Sequence, residues 1–270
     1  MLSIFGSKTR ETAAFLEEQA PVVLMGRGHS GTRVLAFACA HLGMQLGVSE
    51  GLATGDADDR AFTDSVKELG VRVLGATHPS ELRARDLRAF QRAVRGYYER
   101  LGSPRGLWGW KFPETYLVAP LVARTFPRAR YLHLVRDGRD IAFKEHLTDN
   151  PRRKLGRQIL ARRDALDLPR FLQAAHSWSY QVDAFDAFRR TIAPEQVLDL
   201  RFEELCQKPE ATVERLCRFL EIPFTEACRS YLRDHVDPGK VAQYREHDPD
   251  EIRQVERAIG NTLQRYGYLP

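Results

Sequence analysis

The amino-acid sequence predicts an α/β fold: a three-layer sandwich around a central, mostly parallel sheet of at least four strands. Three observations carry that expectation. Short apolar runs alternate with longer stretches of helical periodicity, the signature of βαβ units. Strand candidates recur near residues 21, 107, 130 and 197. The first of them runs straight into a glycine-rich turn and a helix, and right-handed crossovers would bring the carboxyl ends of all four to one edge.

Pro21–Met25 reads as a buried strand that stops at Gly26. Thr32–Leu42 follows as a helix with Val34, Leu35, Ala38 and Leu42 on one stripe. Ser80–Leu101 is a long amphipathic helix dense in arginine, preceded by Pro79 and closed by Gly102. Leu107–Lys111 is a short strand, and Thr115–Phe126 a helix ended by Pro127. Arg130–Val135 is the second clear strand. Phe171–Ile192 is a long helix, Val197–Leu200 a strand, and helices over Pro209–Leu220 and Asp250–Tyr266 complete the order. With no repeat and no low-complexity linker, residues 1–270 read as one domain. Residues 1–20 form its N-terminal helical extension.

Composition narrows the function classes. The 270 residues are 43% hydrophobic and 29% charged, which excludes wholesale disorder. No apolar run approaches about 18 residues, so no membrane-spanning helix is expected. The N-terminus turns charged too early for a secretory signal, and the two features together predict a soluble, cytoplasmic protein. The net charge of +5 suits anionic ligands. It is also local, because Pro151–Arg170 holds seven Arg/Lys against two acids. That tract reads either as a solvated loop and helix face or as an electrostatic funnel beside a cleft. Residues 145–175 are expected to form a mobile basic segment. Cys39, Cys206, Cys217 and Cys228 show neither CxxC pairing nor zinc spacing, so structural thiols and no metal site are expected.

Two motifs carry chemistry. Gly26-Arg-Gly-His-Ser-Gly-Thr-Arg33 joins a strand to a helix, where glycines let backbone N–H groups wrap an oxyanion and the helix adds its positive end. Ser30 and Thr32 can donate hydroxyl hydrogen bonds. The Gly26-x4-Gly31 spacing is P-loop-like, but Thr32 replaces the P-loop lysine and Arg33 the magnesium-binding hydroxyl. Such a loop is poorly built for a magnesium nucleotide. It equally serves as a tight turn for packing. The second motif, Val135-Arg-Asp-Gly-Arg-Asp140, follows the second strand. There Arg136 can clamp a phosphate bidentately, or Arg136 and Arg139 can pair with Asp137 and Asp140 as a surface network.

Together the motifs resemble those of the sulfotransferases that use 3′-phosphoadenosine 5′-phosphosulfate (PAPS). His29-Ser-Gly-Thr-Arg33 looks like their 5′-phosphosulfate loop, and Val135–Asp140 like their 3′-phosphate motif. Trp110-Lys-Phe-Pro113 and Leu200-Arg-Phe-Glu-Glu-Leu205 agree in order, so the resemblance runs from about Pro21 to Tyr268. It departs at His29, where the family has Lys or Arg, and at Lys144, where it has serine.

The resemblance implies sulfuryl transfer from PAPS to an acceptor hydroxyl or amine, leaving 3′-phosphoadenosine 5′-phosphate (PAP), with no metal. It places the 5′-phosphate and sulfate on Gly28–Thr32, with His29, Ser30, Gly31 and Thr32, and with Arg27 or Arg33 supplying a permanent charge. Arg136 and Lys144 take the 3′-phosphate. Lys240 resembles a late basic segment over the cofactor, or is a solvated loop lysine. Lys111 resembles a lysine beside the sulfate. For the general base, Glu50 comes first by its distance from Ser30, then Glu114, then Asp56. His78 and His146 read as structural or surface residues, with proton acceptance as the alternative for either.

The rival readings are a P-loop kinase, a binder of anionic polymers built on the 80–101 and 151–170 arginines, and a silent PAP-binding homologue. The polymer reading lacks interleaved aromatics and any nucleic-acid fold motif, so no nucleic-acid partner is expected. Acceptor class, whether glycan, lipid, peptide or small metabolite, is left open, with the basic tract leaning towards an acidic or extended substrate. Oligomeric state is also left open.

Overall fold

The computed structural model describes residues 11–48, 56–74 and 82–270. Helix α1 covers residues 11–17. Strand β1 (Val22–Met25) leads to α2 (Thr32–His41), α3 (Arg60–Val73) and α4 (Ala84–Arg100). Strand β2 (Gly109–Lys111), α5 (Ala119–Thr125) and β3 (Arg130–Val135) come next. Then α6 (Gly138–Ala142), α7 (Lys154–Ala161) and α8 (Arg170–Arg189) precede β4 (Val197–Arg201). The chain closes with α9 (Phe202–Gln207), α10 (Pro209–Leu220), α11 (Glu226–His235) and α12 (Pro249–Arg265).

All four strands are parallel, in the order β2-β1-β3-β4. Residue alternation sorts their side chains into two layers. Val23, Met25, Trp110 and Tyr131 face Phe62, Val66, Phe90 and Tyr97 of α3 and α4. Val22, Leu24, Leu132, Leu134 and Leu200 face Leu35 and Cys39 of α2 and Leu216 of α10. Burial on both faces is what makes these strands continuous apolar runs. Each large side chain so buried contributes roughly 1.5–3 kcal/mol. A third cluster joins Ile141, Trp178, Val182, Val255 and Ile259, packing α6, α8 and α12 together.

This topology builds a crevice. β1 has β2 on one side and β3 on the other, so connections leave its carboxyl end in diverging directions. The register pairs Leu24 with Lys111 and Met25 with His133, which brings Gly26, Lys111 and Arg136 out along one edge.

The structure departs from the sequence reading in one expected helix and in several that were not expected. The helix expected over Thr115–Phe126 is a 3₁₀ turn, Pro113–Val118, followed by α5. Pro120 has no N–H to donate to the Tyr116 carbonyl, so an α-helix cannot run through it. Helices α3, α6, α9 and α11 were not anticipated. The basic tract carries α7, in keeping with the solvated helix face: Leu155, Ile159 and Leu160 are buried while Arg152, Arg153, Lys154 and Arg157 face solvent. Among the described residues no helix is long and apolar enough to cross a membrane, and all four cysteines are buried, unpaired thiols.

Candidate active site

The glycine-rich loop is shaped by contacts that exclude a Cβ. At Gly26 a Cβ would lie 2.6 Å from the Leu134 carbonyl oxygen, and at Gly28 it would meet the His146 ring at 2.4 Å. At Gly31 it would lie 2.3 Å from the Phe202 ring, at a φ of +86°. His29 is also left-handed, with φ 70°. Two such residues in one turn curl the backbone into a concavity of the kind that binds anions. Helix α2 then begins with neither a side-chain cap nor an acid in its first turn, so its positive end is not neutralised locally. Ser30 is buried, and its Oγ has no hydrogen-bond partner among the described residues.

The loop lines one cleft of about 760 Å³. Gly28, His29, Gly31, Thr32 and Arg33 line it together with Lys111, Asp56 and His146 and with Arg136, Lys144, Lys240 and Gln243. The two motifs read from the sequence therefore share one cavity. They also touch: Arg136 Nη1 donates to the His29 carbonyl at 3.2 Å. Phe202 binds both, lying against Gly31 and 4.2 Å beneath the Arg136 guanidinium.

Two of the expected ligand residues sit in settings that the sequence did not reveal. Arg27 does not face the cleft; its guanidinium turns inward to a buried ion pair with Asp149 and donates to the Gly28 carbonyl at 3.0 Å. Asp149 also holds Arg170 at 3.2 Å, so this arginine braces the loop from behind. Burial of a charge is tolerated only with such partners, and they hold the Arg27 guanidinium behind the loop rather than among the cleft residues. Arg136 is not an open bidentate clamp. Its Nε and Nη2 donate to Asp140 at 3.0 and 2.8 Å, Nη2 donates to the Lys240 carbonyl at 2.6 Å, and Nη1 to His29. Four of its five N–H groups are engaged within the chain. The Arg–Asp pairing anticipated as a surface network is real but buried. Arg139 belongs to it too, bound to Asp137 at 2.7 Å and Glu256 at 2.8 Å.

The remaining cations differ in setting. Lys144 Nζ donates to Gln243 Oε1 at 3.3 Å, and burial beside Arg136 lowers its pKa. Lys240 is exposed, 3.7 Å from Asp237. Lys111 is buried and donates to Asp56 at 2.5 Å; burial lowers its pKa, and Asp56 opposes that shift. His29 Nε2 lies 2.9 Å from the Glu145 carbonyl, and burial together with Arg27 lowers its pKa, favouring the neutral imidazole.

The carboxylates separate clearly. Glu50, and with it His78, lies outside the described residues. Asp56 lines the cleft. Glu114 is fully buried beneath it, neither oxygen hydrogen-bonded among the described residues, and burial pushes its pKa up to about 7. His146 Nε2 stands 3.9 Å from Glu114. Burial and then Arg27 push His146 down to about 2, so its ring is neutral and the approach is not an ion pair.

Sequence reasoning undervalued His146, Phe202 and Gln243. Phe202 sat within a flagged stretch, but its two contacts are tertiary. His146 and Gln243 carried no pattern at all.

The comparisons with known proteins agree with this geometry. The model of the sulfotransferase family matches residues 21–226. A protein-tyrosine sulfotransferase of Drosophila melanogaster is 24% identical over 120 residues, 43% of this chain and 21% of its own length. A putative protein-tyrosine sulfotransferase of Caenorhabditis elegans is 25% identical over 130 residues, 47% of this chain and 46% of its own. The matches thus span less than half of either relative. Among solved structures, the sulfotransferase domain of the Synechococcus olefin synthase superposes with a TM-score of 0.54 at 16% identity, covering 90% of this chain and 94% of that one. A sulfotransferase from Mycobacterium avium gives 0.55 at 12% identity, covering 96% and 80%. These last two are likenesses of fold. With its family match across most of the chain, and with the loop, sheet and cleft in the expected order, this protein belongs to the sulfotransferase family.

Proposed function

We propose that the protein transfers a sulfuryl group from PAPS to an acceptor hydroxyl or amine. The observation that carries this reading is the single cleft, lined by the glycine loop together with Arg136, Lys144 and Lys240. The residues present fit the donor. The loop would take the 5′-phosphosulfate through Gly28–Thr32, where the buried Ser30 Oγ has a hydroxyl to donate. Arg136 and Lys144 would take the 3′-phosphate, and Lys240 would lie over the nucleotide.

PAPS supplies a sulfuryl group bonded to a ready leaving group, PAP. The sulfate carries less charge than a terminal phosphate, so the fixed cations of the chain serve in place of magnesium. Lys111, held by Asp56 at the end of β2, is placed to steady sulfate oxygens. Helix α2 and Arg33 add positive potential at the leaving side. The acceptor oxygen bonds to sulfur as the bridging S–O bond breaks, and its proton passes to a carboxylate. Glu50 is assigned that role by its spacing from Ser30, with Glu114 and Asp56 as alternates. The solvent-facing basic tract at 152–157 favours an acidic or extended acceptor, and the cytoplasmic, single-domain reading stands as part of the same proposal.

Incubation with labelled PAPS and a panel of glycan, lipid, small-hydroxyl and tyrosine-peptide acceptors, in EDTA, tests it. Sulfated product without metal is expected, and E50Q is expected to spare PAP binding while slowing turnover by roughly 10²–10⁴-fold. Magnesium-dependent ATP binding that PAP does not displace would replace this reading with a kinase. PAP binding without turnover on any acceptor would leave a silent homologue.

A further inference from the structure

We propose that Gln243 is a placeholder for the 3′-phosphate: its side-chain oxygen stands where that phosphate must stand, and binding exchanges one for the other. The proposal rests on the assignment of Arg136 and Lys144 above. Gln243 Oε1 accepts from Lys144 Nζ at 3.3 Å and makes a longer, shared contact of 3.4 Å with Arg136 Nη2, whose two hydrogens also serve Asp140 and the Lys240 carbonyl, so one neutral oxygen sits between two cations. Both contacts are longer than ordinary hydrogen bonds and correspondingly weak. A phosphate oxygen is charged, and charge-assisted bonds to the same donors are shorter and about twice as strong. One point between two cations holds one oxygen at a time, and the exchange favours phosphate.

The backbone around Gln243 is built for this. Ala242, just before it, holds a left-handed conformation at φ 58°, which a residue with a Cβ adopts only when its surroundings impose it. The imposing contacts lie on either side. The Lys240 carbonyl accepts from Arg136 at 2.6 Å, the Tyr244 N–H donates to Asp140 at 2.8 Å, and the Arg139 guanidinium lies 4.4 Å over the Tyr244 ring. The segment is thereby anchored on the buried Arg136–Asp140 pair, and the Gln243 side chain is the part of it that can swing away. Gln243 then acts as a specificity residue. A nucleotide lacking the 3′-phosphate leaves the placeholder seated and gains nothing from either cation.

Calorimetric titration of the full chain with PAP and with adenosine 5′-monophosphate tests this. Q243A is expected to tighten PAP about fivefold, the scale of one net hydrogen bond removed from competition, and to leave the monophosphate within about twofold. Q243E, which puts a carboxylate between the two cations, is expected to weaken PAP by more than about tenfold, again sparing the monophosphate. The monophosphate thus also reports whether each variant is folded. PAP affinity unchanged or lowered in Q243A, or a shift of equal size for both nucleotides, overturns the placeholder. Failure of the wild-type chain to bind PAP at all is a different result, which overturns the donor assignment beneath it.

Discussion

The glycine loop and the cluster that follows β3 would hold similar anions by opposite means. At the loop the donors are prepared: backbone curled by two left-handed residues, a helix end without a cap, a buried serine hydroxyl with no partner among the described residues. At the β3 end the donors are already engaged, with Arg136 bound to Asp140, His29 and Lys240, and Lys144 bound to Gln243. On the proposed reading the loop would bind by preorganisation, with little to rearrange, and the β3 side by exchange, trading a weak neutral acceptor for a charged one. The difference teaches that an arginine in a recognisable motif is not by that fact an open ligand. Its free donors are set by whatever else the fold brings to it.

The largest expected effect tests the engaged end. Arg136→Ala strips the partner from Asp140, whose side chain is fully buried, and should lower stability by about 3–5 kcal/mol in urea unfolding. Adding Asp140→Asn should restore most of that loss, while PAP affinity measured by calorimetry stays about 1.5–3 kcal/mol weaker than wild type. If the double variant regains affinity as well, Arg136 is scaffold alone and the contrast between the two ends fails.

The prepared end is tested by Gly31→Ala. It combines a positive-φ backbone with a Cβ pressed onto Phe202, and should cost roughly 3 kcal/mol between stability and PAP binding. Pairing it with Phe202→Leu relieves the clash but not the backbone strain, so a partial rescue is expected. Complete rescue would show that space, not backbone conformation, decides this position.

Glu114 lies beneath the prepared end, and its effect depends on pH. The folded chain keeps the Glu114 proton up to about 7, whereas the unfolded chain loses it near 4.5. Unfolding therefore releases a proton between those values, and stability falls as pH rises through that window. Glu114→Gln removes the effect, so the variant should match wild type near pH 4 and exceed it by up to about 3 kcal/mol above pH 7. His146 works in the opposite sense: held neutral down to about 2, it withdraws stability as pH falls below 6.5 in both proteins. Parallel pH profiles for wild type and Glu114→Gln would show that this carboxyl is solvated rather than buried.

Much of the frame was legible from residue order. The four strands announced themselves because strands buried on both faces must be apolar throughout. Gly26, Gly28 and Gly31 signalled the loop because only glycine meets the Leu134 carbonyl, the His146 ring and Phe202 without a clash. Helix α3 was legible and missed: Asp59 caps it, and Phe62, Val66, Leu69 and Val73 follow at helical spacing inside a stretch to which no element was assigned. The break at Pro120 was likewise available in principle. Arg27 was not, because nothing local distinguishes an arginine aimed at a ligand from one aimed at Asp149, which lies far along the chain.

Sequence by itself determined the α/β alternation, the anion-friendly turn after β1 and the paired motifs that point to one nucleotide, since each is a local pattern of polarity and backbone freedom. The tertiary structure alone decided which cations face the cleft, which are bound to acids, why Glu114 holds its proton near neutrality and what Gln243 occupies. Those properties belong to neighbours distant in the chain. Only the packed sheet and its surrounding helices bring them within reach of one another and exclude the water that would otherwise screen them.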